Sequence, residues 1–208
     1  FSFLDGASMP ATLIERAAEL GYPALALLDR NGLYGAPQFY RAARAAGIKA
    51  IVGAELTMGS MPSGGDADTA RASIDTSSRT GRRSTSGDAS RRYSRATISR
   101  PAPRWTLPVL VSSAEGYRHL CRIITRANLR SPKGDAVVTL DDFEGQTSGL
   151  VALVGHEALR ADRHGVGGLV DRIVGLFGRA NVYMELQRHL QAGDQADLQS
   201  LLDLGAAF

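Results

Sequence analysis

Residues 23–56 read PALALLDRNGLYGAPQFYRAARAAGIKAIVGAEL, and this stretch decides the fold. Pro23 leads into Ala24-Leu25-Ala26-Leu27-Leu28, a short unbroken apolar run of the kind that forms a strand covered on both faces. The run ends in polar Asp29-Arg30-Asn31-Gly32. A helix is predicted from Ala36 to Ala46, with Phe39, Tyr40 and Ala43 on one side and Gly47 closing it. The strand Ala50–Leu56 follows at once. Strand, helix and strand in such quick succession predict an α/β fold with a largely parallel sheet.

The same rhythm extends in both directions. Upstream, Ser8 is positioned to cap a helix with Pro10 in its first turn, and Leu13, Ile14, Ala17 and Leu20 recur at helical spacing until Gly21. Downstream, Leu107–Val111 reads as a strand, and 114–129 as a helix with Tyr117, Leu120, Ile123, Ile124 and Ala127 on one face. Leu150–Val154 reads as a buried strand, 168–177 as a helix, Val182–Leu186 as a strand, and the chain from Asp194 as a helix. A short helix is expected around Leu140–Phe143. Repeated βα units of this kind suit a closed or nearly closed barrel.

Residues 59–104 break the pattern. They are rich in Ser, Thr, Arg, Gly, Asp and Ala, and too poor in large apolar side chains to offset the entropy of ordering. A disordered insertion is therefore expected, dividing the chain into 1–58, 59–104 and 105–208. The insertion holds nine arginines against four aspartates, a local +5, so the formal +3 of the whole chain leaves about −2 for the remainder. The sequence pI near 9.3 thus reflects this one segment. Arg82, Arg83, Arg91, Arg92 and Arg95 are candidates for contact with DNA phosphates through counterion release. Basic loops are also often merely solvated, and aromatic partners for bases are limited to Tyr93 and Trp105.

Composition excludes several classes. No apolar run approaches the roughly 20 residues needed to cross a bilayer, and no basic start with an apolar stretch marks a leader. Cys121 is the single cysteine. It rules out an internal disulfide and fits a reducing cytoplasm. There is no glycine-rich phosphate loop with lysine, no paired-cysteine zinc spacing and no Gly-x-Ser-x-Gly elbow. His119 and Cys121, two apart on a helix, point in different directions, which leaves Cys121 as a small core residue. His164 and His189 have no companions at ligand spacing.

In α/β barrels the reactive groups gather where strands end. Asp29, Glu55 and His156 each follow a predicted strand or lie at its end. Two carboxylates and an imidazole from separate strands suit part of a Zn or Mn site that activates water. The plainer alternative is that Asp29 caps a loop, Glu55 pairs with an arginine and His156 is a satisfied surface histidine.

A family resemblance adds to this. Phe1-Ser2-Phe3-Leu4-Asp5-Gly6-Ala7-Ser8, Ile14-Glu15-Arg16-Ala17, Leu20-Gly21-Tyr22, Gly32-Leu33-Tyr34-Gly35-Ala36 and Val52-Gly53-Ala54-Glu55 resemble successive blocks of a PHP (polymerase and histidinol phosphatase) domain. Such domains open the bacterial C-family DNA polymerases, the DNA polymerase III alpha subunit family. Glu115-Gly116-Tyr117, Leu120-Cys121-Arg122-Ile123-Ile124-Thr125, Pro132-Lys133-Gly134 and Tyr183-Met184-Glu185-Leu186-Gln187-Arg188-His189 are similar to the error-prone branch in particular. The resemblance implies a distorted (β/α)7-like barrel at the front of a multidomain polymerase engaged in DNA synthesis across damage and in repair. It also implies Mg for that parent enzyme, and Zn or Mn wherever a PHP site is intact.

Against the metal-binding pattern of the family, Arg30 stands in place of a histidine beside Asp29, and a guanidinium cannot ligate a cation. Thr106 stands at another family histidine position, while Glu55 is retained and His156 replaces a cysteine. The family's His-x-His falls before Phe1 and its Asp-x-His beyond Phe208, so the domain is expected to be incomplete at both ends. Asp29, Arg30, Glu55 and His156 then read as a vestigial metal or phosphate site, with no cofactor expected in these residues. The expected function is that of a structural domain, with DNA and deoxynucleotides handled by polymerase domains elsewhere. Two alternatives remain: a metal-dependent PHP phosphoesterase or 3′-5′ exonuclease, and a module docking translesion or proofreading partners.

Overall fold

The computed structural model describes residues 8–59, 104–161, 166–188 and 193–208. The expected insertion, apart from its end residues Gly59 and Arg104, lies outside the described residues, as do the five candidate DNA-contact arginines, His164 and His189. The first helix, α1 (Pro10–Glu19), has Met9 rather than Ser8 at its N-cap and no side-chain cap. Pro10 lacks an N–H, so one of the donors that a serine would cap is already absent. Gly21 ends the turn with φ of +73°.

Strand β1 (Ala24–Arg30) carries Asp29 and Arg30 inside the strand rather than after it. Helix α2 (Ala36–Ala46) closes on a left-handed Gly47, as expected. Phe39 and Ala43 are buried while Tyr40 is exposed. One residue on from Phe39 is about 100° around the helix, which carries the tyrosine off the packed face. Strands β2 (Lys49–Met58) and β3 (Trp105–Val111) follow. Helix α3 (Ala114–Arg130) is capped by Ser113, whose Oγ accepts from the Gly116 N–H at 3.1 Å. Then come a 3-10 turn (Leu140–Phe143), β4 (Leu150–Val154), α4 (His156–Ala161), α5 (Val166–Phe177), β5 (Val182–Met184) and α6 (Asp194–Ala207). The short α4 was not legible in the sequence, and β5 stops two residues before Leu186.

The described strands form one sheet in the order β1-β2-β3-β4-β5. β1 and β2 are parallel, as are β4 and β5, but β3 is antiparallel to both its neighbours. Four strands therefore run one way and β3 alone opposes them, a mixed sheet rather than a largely parallel one. The reason lies in the connection: Met58 and Trp105 are register partners, so β2 and β3 are joined as a hairpin pair with residues 59–104 in place of its turn.

Register sorts the side chains onto two faces, because successive residues of a strand alternate. Leu25, Leu27, Val52, Leu56, Leu107, Val109, Ala152 and Val154 fall on one face, packed beneath the helices in two clusters. Ile14, Ala17, Phe39 and Ala43 of α1 and α2 cover its β1 end, and Leu120, Ile123, Val170 and Ile173 of α3 and α5 cover the rest. The other face carries Ala26, Leu28, Ile51, Pro108, Leu110, Val151 and Leu153, which are exposed or half-buried. The expectation that β1 is covered on both faces thus fails for the described residues: helices cover one face only.

Cys121 is half-buried rather than in the core. His119, two residues earlier, is the buried one, with Nδ1 3.1 Å from the Ser148 carbonyl oxygen. None of the described helices is long and apolar enough to cross a membrane.

Candidate functional site

Since β1, β2, β4 and β5 point the same way, their C-terminal ends meet the start of β3 along one edge of the sheet. All four strand-end candidates lie on this edge, but it does not bring them into one cluster. Arg30 and Glu55 are register partners on β1 and β2, with side chains on the face that the helices leave uncovered. Asp29, one residue earlier, points the opposite way and is buried beneath the helices. Its Oδ2 accepts from the Gly35 N–H at 2.7 Å, so it caps the loop into α2.

His156 follows β4 at the start of α4, two strands away from β2, a separation of about 10 Å at ordinary strand spacing. Its Nε2 lies 3.2 Å from Asp197 Oδ2 on α6. Thr106 stands opposite Thr57 on the uncovered face, and its N–H donates to Glu157 Oε2 at 2.8 Å.

A cavity of about 390 Å³ opens beside these strand ends. Arg30, Asn31 and Thr57 form one wall, Arg104, Trp105 and Thr106 a second, and Gly134–Ala136 with Glu157 the remainder. Asn31 holds the first wall together from a left-handed conformation, φ +48°. Its Oδ1 accepts from the Thr57 N–H at 2.8 Å, while Nδ2 donates to Thr57 Oγ1 at 3.0 Å and to the Ala136 carbonyl at 3.2 Å. Nothing in the sequence signalled these bonds.

The third wall is pinned from behind. Val138 donates to the Thr57 carbonyl at 2.9 Å and accepts from the Gly59 N–H at 3.0 Å. Asp142, which is buried, receives both Nη groups of Arg130 and the N–H and hydroxyl of Thr139. Burial works to raise its carboxyl pKa, but the bonds from Arg130 and Thr139 prevail and hold it below the usual range. In front, Arg104 grips Asp135 through both oxygens. That contact keeps the Asp135 carboxyl low and raises the guanidinium further.

The donor set does not fit a metal centre. Among the described residues no three His, Cys, Asp or Glu side chains stand where they could hold an ion. Asp29 faces away, His156 turns to Asp197, and a guanidinium lies one strand spacing from Glu55.

The PHP domain family model matches residues 1–189. The chain is 33% identical to an error-prone DNA polymerase of Cutibacterium acnes over 99% of its own length and 16% of the polymerase. The same identity relates it to the error-prone DNA polymerase of Mycolicibacterium paratuberculosis, over 100% of this chain and 17% of that one. It thus spans about a sixth of the length of these relatives. Among solved structures, a Bifidobacterium adolescentis protein assigned as a metal-dependent phosphoesterase superposes with a TM-score of 0.54 at 11% identity, covering 99% of this chain and 80% of that one. An amidohydrolase from Chromobacterium violaceum, with sulfate bound and no metal, gives 0.50 at 14% identity over 98% and 79%. At such identities these two establish the fold alone.

Proposed function

The chain belongs to the PHP domain family, and from that premise we propose that it is the N-terminal PHP domain of an error-prone DNA polymerase, where it acts as a structural domain and not as a phosphoesterase. The observation that carries this reading is Arg30 beside Glu55 at the strand ends. A guanidinium stays charged at any physiological pH, and at one strand spacing it repels the cation that the carboxylate would otherwise attract.

In this reading DNA, deoxynucleotides and Mg are handled by polymerase domains outside these 208 residues. The parent enzyme works in the cytoplasm on damaged templates. Arg82, Arg83, Arg91, Arg92 and Arg95 add a salt-sensitive attraction for DNA, and the segment that carries them is the natural contact for a translesion or proofreading partner. Replacing those five arginines by glutamine should flatten the salt dependence of DNA binding, by about 0.7–0.9 in log–log slope for each phosphate no longer neutralised.

The second reading, a metal-dependent phosphoesterase or exonuclease, is favoured by the fold shared with the Bifidobacterium protein. Metal analysis and phosphodiester cleavage, measured on the full polymerase reading frame around this segment, separate the two. Primer extension without Zn or Mn bound to the PHP domain and without 3′-5′ cleavage is expected. Stoichiometric Zn or Mn together with cleavage abolished in Glu55→Gln would overturn the structural reading.

A further inference from the structure

We propose that the outward face of α3 (Ala114–Arg130) is a contact surface for the phosphate backbone of DNA, with Arg118, Arg122 and Arg126 as the contacting side chains. The surface is distinct from the strand ends and from the insertion arginines, and it rests on the polymerase reading only for the identity of the polyanion.

Helical spacing builds the row. Leu120, Ile123 and Ala127 are buried in the core beside the sheet, which turns residues 118, 122 and 126 outward, and all three arginines are exposed. Side chains four residues apart stack on one face of a helix. At about 1.5 Å of rise per residue the row runs roughly 12 Å, and over that length each strand of a duplex offers about three or four phosphates.

Nothing in the fold answers this charge. Among the described residues no carboxylate pairs with any of the three. Other exposed arginines do have such partners: Arg16 pairs with Glu19, Arg104 with Asp135 and Arg172 with Asp141. Glu115 is the single acid of α3, and it accepts from the Ser148 hydroxyl at 3.0 Å. The polar neighbours on the outward face bond to their own helix. Thr125 donates to the Cys121 carbonyl at 2.7 Å, and Asn128 donates to the Ile124 carbonyl at 2.8 Å.

A role in holding the helix does not account for the row. Like charges at this spacing repel, so the arrangement works against helix stability. Cations favour the last turn of a helix, and Arg130 is the basic residue there, already held by Asp142. Guanidinium forks match phosphate oxygens, and a row of them without a pocket reads the backbone whatever the base sequence. Leu129, 82% exposed near the end of the helix, is the residue that an acidic protein would cover and a phosphate backbone would not.

The test titrates the full 208-residue chain, at rising salt, into three labelled probes followed by fluorescence anisotropy: a DNA duplex of about twenty base pairs, a single strand of that length, and polyglutamate. The triple variant Arg118→Gln, Arg122→Gln, Arg126→Gln should bind duplex about tenfold or more weakly. Its log–log salt slope should be shallower by about 0.9 for each phosphate no longer neutralised, about two or three units in all. The same drop should appear when the five insertion arginines are also glutamine, because the two surfaces are separate. Glutamine matches arginine in helix propensity, so the melting temperature of the triple variant should stay level or rise. Leu129→Gln should leave DNA affinity unchanged. Whichever of duplex and single strand binds more tightly is the form of DNA that this face contacts.

No binding of either DNA by the wild type overturns the inference, as does equal affinity and slope in the triple variant. A lower melting temperature in that variant makes the row structural and overturns it too. Polyglutamate bound as tightly as DNA, with loss in Leu129→Gln, assigns the face to an acidic protein instead. None of these outcomes touches the structural reading of the strand ends, which metal analysis and cleavage decide separately.

Discussion

Arg30 and Glu55 stand side by side on parallel strands, while Asp29, the residue next to Arg30, lies on the opposite face of the sheet bonded to the Gly35 amide. One strand end thus separates a structural carboxylate from a pair of oppositely charged residues on the uncovered face. Arg30→Glu would place two carboxylates one strand spacing apart, at a cost of about 1 kcal/mol. Urea denaturation should show that loss, and millimolar Mn²⁺ should recover part of it in the variant but not in the wild type.

Asp29→Ala leaves the Gly35 N–H without its acceptor in a buried loop. The expected cost is about 2 kcal/mol, whereas Asp29→Asn keeps an acceptor oxygen and should lose less than half of that. Chemical denaturation of the two variants checks the order. Equal losses would show that charge, not the hydrogen bond, is what the loop needs.

Asp142 makes the fold sensitive to acid. Its folded pKa is held below the unfolded value of about 3.9, so the stability it contributes is fully present above that value. That contribution disappears as pH falls through the lower, folded value. Melting temperature followed from pH 7 to pH 3 should fall more steeply in the wild type than in Asp142→Asn. The variant should also be less stable at pH 7 by about 2–3 kcal/mol, because Arg130 and Thr139 lose their charged partner.

Helix α3 crowds the start of β4. A Cβ on Gly116 would sit 1.9 Å from the Gly149 carbonyl oxygen, and Gly149 itself has φ of +74°. Gly116→Ala must push helix and strand apart and should destabilise by about 3 kcal/mol, read as a shifted denaturation midpoint. Gly175→Ala, where a Cβ meets nothing within 4 Å, is the control and should be neutral or stabilising.

Local signals carried most of the element assignments. The apolar run 150–154 matches β4 residue for residue, Gly47 ends α2 at the anticipated position, and Leu140–Phe143 forms its short turn. Each depends on spacing or a turn residue within a few positions. What failed was set at longer range: Cys121 lies half-buried because neighbouring elements, not the residue type alone, decide which side chains are covered. The cavity was missed for the same reason, since Asn31, Arg104 and Glu157 come from distant parts of the chain.

Residue order is enough to establish the α/β alternation and the family, because each is written along the chain. Folding in three dimensions was needed to show that β3 runs against its neighbours and that Asp29 and Glu55 part to opposite faces. Strand direction depends on how a connection closes, and facing depends on register. Neither is encoded in the strand that obeys it.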